Sequence, residues 1–292
     1  MSYDLFFYKR KDNPVTSNTI TEYLSQKLGI TDNRGAREWS FENEDTNVYY
    51  SFQLEKESAI EEEEDYPDYE NTGLSFNLNF MRPSFFGLEA FLFVEQLTKD
   101  LDLFIANPQT SVDVLCQSNR HELFENWNAS NLSISAAYFD KMGASYFPEE
   151  KANKVWAYNV ERKKIQAQLG EGYFAPRILF VKHKNSGQVC TLTTWTQHIP
   201  NVFPEADYYA LHQKYKKFGL FSVNKSIFIS RATLIERFGR HLNNFTHEGC
   251  KIIHPHQAEQ ISHLFNSTRP AADSENMFEG IGMHQLFNAK PK

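Results

Sequence analysis

Thirteen carboxylates fall between Glu38 and Glu70, with Lys56 as the one basic residue among them. The densest part is Glu61-Glu62-Glu63-Glu64-Asp65, followed closely by Tyr66, Asp68 and Tyr69. Carboxylates this close repel one another and resist packing, so a solvated loop between two strands is the plainer expectation. The same residues also suit docking. Spaced carboxylates imitate a phosphate backbone and steer a Lys/Arg-rich surface at long range, while tyrosines make the close contacts. A calcium loop is a weaker reading, because the run lacks the ligand spacing and the turn glycine of such loops.

A second cluster is His241, His247, Cys250, His254, His256 and His263, all within 23 residues. Imidazole and thiolate are ligands that zinc takes. Yet His247-x2-Cys250-x3-His254-x-His256 follows no zinc-finger or metalloprotease spacing, and Pro255 limits how its neighbours turn toward one ion. No structural metal and no cofactor is expected.

Nucleophilic chemistry has weaker candidates. His198, Asp207 and His212 lie in or beside a loop punctuated by Pro200 and Pro204, and Arg177 offers an anion clamp. The chain has no Gly-x-Ser-x-Gly elbow, HExxH pair, phosphate-binding loop, dinucleotide-binding glycine fingerprint or zinc-deaminase signature. Those motif-bearing enzyme families are set aside, and enzymes of other kinds are not.

Charge divides the chain. Residues 1–150 hold 11 Lys/Arg against 27 Asp/Glu, whereas residues 151–292 hold 19 against 10. Arg162-Lys163-Lys164 and Lys214-Tyr215-Lys216-Lys217-Phe218 mix cations with aromatics as nucleic-acid surfaces do. Both runs are predicted at helix ends, where cations are favoured anyway, and a net charge of −7 opposes phosphate binding.

These residues need a scaffold, and the pattern predicts one. Tyr3 to Tyr8 reads as a buried strand, and Ile20, Tyr23, Leu24 and Leu28 as a helix face opened by Thr19 and Glu22 and stopped at Gly29. Val48 to Leu54 reads as a strand, and Leu74, Phe76, Leu78 and Phe80 alternate strictly with polar residues. Ser84 is the predicted cap of the next helix, and Leu101 to Ala106 a further apolar segment. That order predicts an α+β fold: an N-terminal ferredoxin-like (split βαβ) sandwich followed by a second mixed α+β domain. The predicted division is 1–110, a mainly helical bridge 111–170, a basic domain 171–269 and a tail 270–292. In the second domain, hairpin strands flank Lys184 to Gly187, and a helix is predicted over Asp207 to Lys217.

Twenty-five Phe residues provide ample apolar area for a packed core. No apolar run approaches the length of a membrane span, and no secretory leader pattern precedes Lys9-Arg10-Lys11. Cys116, Cys190 and Cys250 are scattered and odd in number, which suits the reducing cytoplasm. The leading expectation is therefore a non-enzymatic cytoplasmic protein-binding module with a basic protein partner. A bacterial immunity protein that blocks a cognate toxin fits that profile. The alternatives are a hydrolase or nucleotide-processing enzyme with its site in the second domain, and a nucleic-acid-associated factor using the basic half.

Overall fold

The computed structural model describes residues 1–28, 37–56, 66–110, 115–217, 221–268 and 277–291. Over these the chain is mixed α+β, with several sheets and seven helices. It divides into one unit of residues 1–152 with 283–292, and a second of residues 153–282. No helix among the described residues is long and apolar enough to cross a membrane.

The first unit opens with β1 (Ser2–Arg10), α1 (Ser17–Leu28), β2 (Glu38–Glu42), β3 (Tyr49–Leu54) and β4 (Tyr69–Asn79). It continues with α2 (Phe85–Leu101), β5 (Leu103–Ala106), α3 (Arg120–Tyr138) and the short β6 (Ser145–Tyr146). One five-stranded sheet runs β2-β3-β4-β1-β5, and every neighbouring pair is antiparallel. Strict alternation in β4 decides its two faces. Leu74, Phe76 and Leu78 are buried, as is Phe80 just beyond the strand, while Ser75, Asn77 and Asn79 point the other way. Phe52 of β3 pairs with Phe76, and their rings meet at 5.2 Å with Phe91 of α2 beyond. Leu5 and Phe7 of β1 complete this apolar face, to which α1 adds Ile20 and Leu24. Helix α3 packs on α2: fully buried Trp127 meets Phe91 and closes against Gly87.

Two expected caps differ. Thr16 and Thr19, rather than Thr19 and Glu22, exchange side-chain and backbone hydrogen bonds at the start of α1. A hydroxyl caps best from just outside the first turn, and Thr19 is already inside it. The Ser84 side chain makes no capping bond; its N–H and hydroxyl both donate to Asn288 Oδ1, at 2.7 and 3.0 Å. Gly29 lies outside the described residues.

The loop joining β2 to β3 is tied to α2. Glu89 accepts from Asn43 Nδ2 at 2.6 Å and from Thr46 Oγ1 at 2.8 Å, while Asn47 takes the left-handed region at φ 58°. Glu89→Ala removes the charged acceptor from both donors. We expect it to cost about 2 kcal/mol, read as a lower urea midpoint; an unchanged midpoint would show that the tie contributes nothing.

Helix α4 (Glu149–Leu169) precedes β7 (Leu179–His183), β8 (Val189–Thr196), β9 (Asn201–Phe203), β10 (Tyr208–Lys217) and β11 (Phe221–Ser230). After them come α5 (Arg231–Phe238), β12 (Asn243–Asn244), β13 (Lys251–Ile253), α6 (Pro255–Gln260), α7 (Ser262–Ser267) and β14 (Phe278–Gly280). The main sheet of the second unit runs β11-β10-β8-β7-β14, beside a three-stranded sheet β12-β13-β9. Its core gathers on Trp195, whose ring meets Phe203, Phe238 and Phe265 within 5.2 Å. The segment Asp207 to Lys217 is a strand and not the expected helix. Tyr209, Leu211 and Gln213 face inward in alternation, and pairing with β8 and β11 outweighs the local pattern. The run Lys214 to Lys217 therefore lies in that strand rather than at a helix end, and Phe218 is outside the described residues.

The C-terminal residues are more than a polar tail. Leu286 and Phe287 are fully buried and pair in parallel with β6, in the first unit.

Candidate functional site

Both long helices next to the first sheet, α1 and α2, contribute buried side chains to one face of it, the face of Leu5, Phe52 and Phe76. Pairing places a different set on the other face. Asp4 lies opposite Asn77, Phe6 opposite Ser75, Ser40 opposite Ser51, and Glu42 opposite Tyr49. Along β1 the period of two adds Tyr8 and Arg10 to this face.

At one end of the face an open groove of about 270 Å³ is lined by Glu38, Ser40, Glu42, Tyr49, Asn77 and Asn79 among others. Glu38, Ser40 and Glu42 are exposed and lie along β2, the end strand of the sheet. Tyr49 is held in place: its hydroxyl accepts from Arg82 Nε at 2.7 Å, and the guanidinium stands 5.3 Å from the ring centre. Asp4, also on this face, accepts from Asn77 Nδ2 at 2.6 Å and from Ser2 Oγ at 3.1 Å.

Toward the other end of β4 the same face turns aromatic. Tyr66 meets Tyr8 edge-on at 5.2 Å, and Tyr69 meets Phe104 at 4.9 Å with Arg10 over the Phe104 ring. Tyr69 and Asn77 are eight residues apart on one strand, a separation of roughly 27 Å at strand rise. The predicted tyrosines therefore share a sheet face with Glu38 and Glu42 but not their groove. Asp68 is exposed in the turn before β4, where its carbonyl accepts from Lys11 N–H, and Glu70 pairs with Lys9 at 3.2 Å. Glu61, Glu62, Glu63, Glu64 and Asp65 lie outside the described residues.

The candidates in the second unit take separate partners. His198, at φ 68°, places Nδ1 2.9 Å from Ser262 Oγ. Asp207 accepts from the N–H and the hydroxyl of Thr191, both at 2.8 Å. His212 meets Ser226 at 2.7 Å, and partial burial lowers its pKa. Asp207 immediately precedes β10 and His212 lies five residues on, which is roughly 17 Å at strand rise. The Arg177 carbonyl accepts from Thr193 Oγ1 at 3.1 Å.

No match emerges on comparing the chain with family models, curated proteins and solved structures.

Among the described residues no three metal-binding side chains gather. In the histidine-rich segment His254 meets the Tyr173 hydroxyl, His256 meets Gln260, and His247 packs on the Tyr158 ring. Cys250 is buried among apolar neighbours. Reading the sequence alone missed Asp4, Glu38, Glu42 and Tyr49 as one face. Glu38 and Glu42 already show strand spacing within the acidic segment, but what brings Tyr49 beside them is pairing with β3.

Proposed function

We propose that the chain is a non-enzymatic, cytoplasmic protein-binding module that docks a basic protein partner on the face of its first sheet opposite to α1 and α2. The first unit is on this reading a ferredoxin-like sandwich, with β1, α1, β3, β4, α2 and β5 as the split βαβ order and β2 as an added edge strand. One observation carries the proposal. Carboxylates and ring-bearing side chains alternate onto a single face, beside an open groove whose tyrosine is pinned by Arg82. Rigid tyrosines anchor protein interfaces at low entropic cost, and exposed carboxylates speed the approach of a cationic surface. The acidic run Glu61–Asp65 belongs to the same reading, since it leads directly into Tyr66. Neutralisation of a basic toxin or effector, as an immunity protein achieves, is the biological form that fits best.

The test is affinity capture with the wild-type chain and with Glu38→Gln/Glu42→Gln and Tyr49→Ala side by side, followed by binding kinetics for whatever the wild type retains. The charge variant is expected to slow association by about tenfold at low salt, with the difference shrinking as salt rises. Tyr49→Ala is expected to speed dissociation instead, because an aromatic anchor acts after encounter. Partners captured equally by all three chains, with equal rates, would remove the face as the docking site.

A further inference from the structure

Helix α2 is held at its N-cap from far along the chain. Ser84 is completely buried and its side chain makes no capping bond, and the acceptor for its N–H is Asn288, 204 residues along the chain. The other end of that amide donates to the Phe147 carbonyl at 2.8 Å. Around it, Leu286 and Phe287 are fully buried, Phe147 N–H donates to the Phe287 carbonyl at 2.9 Å, and Phe287 meets the Phe139 ring. Lys290 stands 5.1 Å from the centre of the Tyr146 ring. The segment is thus seated as a bound peptide would be: a short strand, two apolar anchors and one bifurcated amide.

What lies next to this seat is the turn that holds the groove. Met81 takes φ 59°, a conformation that a side chain of its kind resists, so the turn needs fastening. Asn131 of α3 fastens it once, bonding the Arg82 N–H and carbonyl at 3.2 and 2.8 Å. Asn288 fastens it again at Ser84. Arg82, held by the first of these, pins Tyr49, and Tyr49 rests edge-on against Phe86 in the first turn of α2 at 5.4 Å.

We infer that residues 283–291 form a detachable strap, a peptide site filled in cis, which caps α2 and thereby fixes Tyr49 in the groove. Release of the strap takes Asn288 from the Ser84 N–H and hydroxyl, leaves Asn131 as the remaining tie of the turn from Met81 to Ser84, and so loosens the hold on Tyr49. That Tyr49 belongs to a docking face rests on the reading above; the hold of the strap on Tyr49 does not.

Two experiments test this, and neither needs a partner. In the full chain, Asn288→Ala is expected to raise amide exchange at least tenfold over residues 82–87 and 47–51, with the amides of Leu5 and Phe76 unchanged. Faster exchange confined to the strap, or spread evenly through the unit, would overturn the coupling. In a chain ending at Gly282, the melting temperature is expected to fall by about 5 °C or more. A synthetic peptide of residues 283–291 should restore it, and the same peptide carrying Asn288→Ala should not. Equal rescue by both peptides, or no loss on truncation, overturns the strap; if the shortened chain does not fold, the exchange result decides. A coupling that holds while Tyr49→Ala leaves partner kinetics unaltered would discard the docking face alone.

Discussion

Gly87→Val is expected to cost the first unit about 4 kcal/mol or more, and Gly87→Ala clearly less. A Cβ at Gly87 falls 2.6 and 2.8 Å from two ring atoms of Trp127 and 3.1 Å from Phe124. Trp127 is fully buried, so its ring has nowhere to move. Overpacking a well-filled core by a methylene or so already costs 1–3 kcal/mol, and valine brings three carbons to a contact that is too close for the first. Alanine regains up to about 1 kcal/mol of helix propensity, which offsets only part of its clash. Urea unfolding of the three chains, followed by a probe in the first unit, gives the order directly. A valine variant as stable as wild type would mean that α3 does not close on α2 as described.

Alkaline pH is expected to weaken the second unit through its buried thiols and phenols, Cys250, Cys190, Tyr158 and Tyr209, each raised by burial, and Cys250 opens the decline. Burial raises the Cys250 pKa to about 12; Arg231 pulls it back and Glu205 pushes it further up. In the unfolded chain the thiol ionises near its ordinary value of about 9. Below that pH it is neutral in both states and the stabilisation is complete. From pH 9 upward the unfolded chain loses its proton first, so stability falls with rising pH until the folded thiol ionises near 12. The whole span corresponds to a loss of about 4 kcal/mol, an order-of-magnitude figure. Tyr3, fully buried in the first unit and also raised to about 12, adds a smaller loss there beginning near pH 10. Urea midpoints at pH 8, 10 and 11 check this. Cys250→Ala should lessen the decline between pH 8 and 10 and leave the part that Tyr158 and Tyr209 add above pH 10, and an equally steep decline without the thiol would assign it elsewhere.

The parts legible in the sequence are those whose period is carried by contiguous residues. Leu74 to Phe80 declares a half-buried strand because its neighbours are uniformly polar, and the Lys184 to Gly187 turn declares its hairpin, with Gly187 at φ 69°. Asp207 to Lys217 misleads for a physical reason. Tyr208, Leu211 and Tyr215 suit a helix face, and the inward position at 213 is a glutamine, buried because its amide donates to the Phe265 carbonyl at 2.6 Å. The candidate face is only half legible. Acidity is a property of the segment, but the meeting of Glu42 with Tyr49, and of Tyr49 with Arg82, is made by pairing and by a turn 33 residues away. Asn288 carries no local signal at all, since an asparagine after two apolar residues fits many loops.

The long reach of Asn288 has a bearing on how the chain is made. At roughly 5–20 residues per second, the 141 residues between Phe147, the last of the seat, and Asn288 take about 7–28 s to synthesise. Once residues 1–152 have left the ribosome within that interval, Ser84 still lacks Asn288 and the seat of Leu286 and Phe287 is open to any apolar peptide nearby. The unit translated first is therefore the one completed last, and a nascent chain stalled before residue 286 carries the open seat without the segment that fills it.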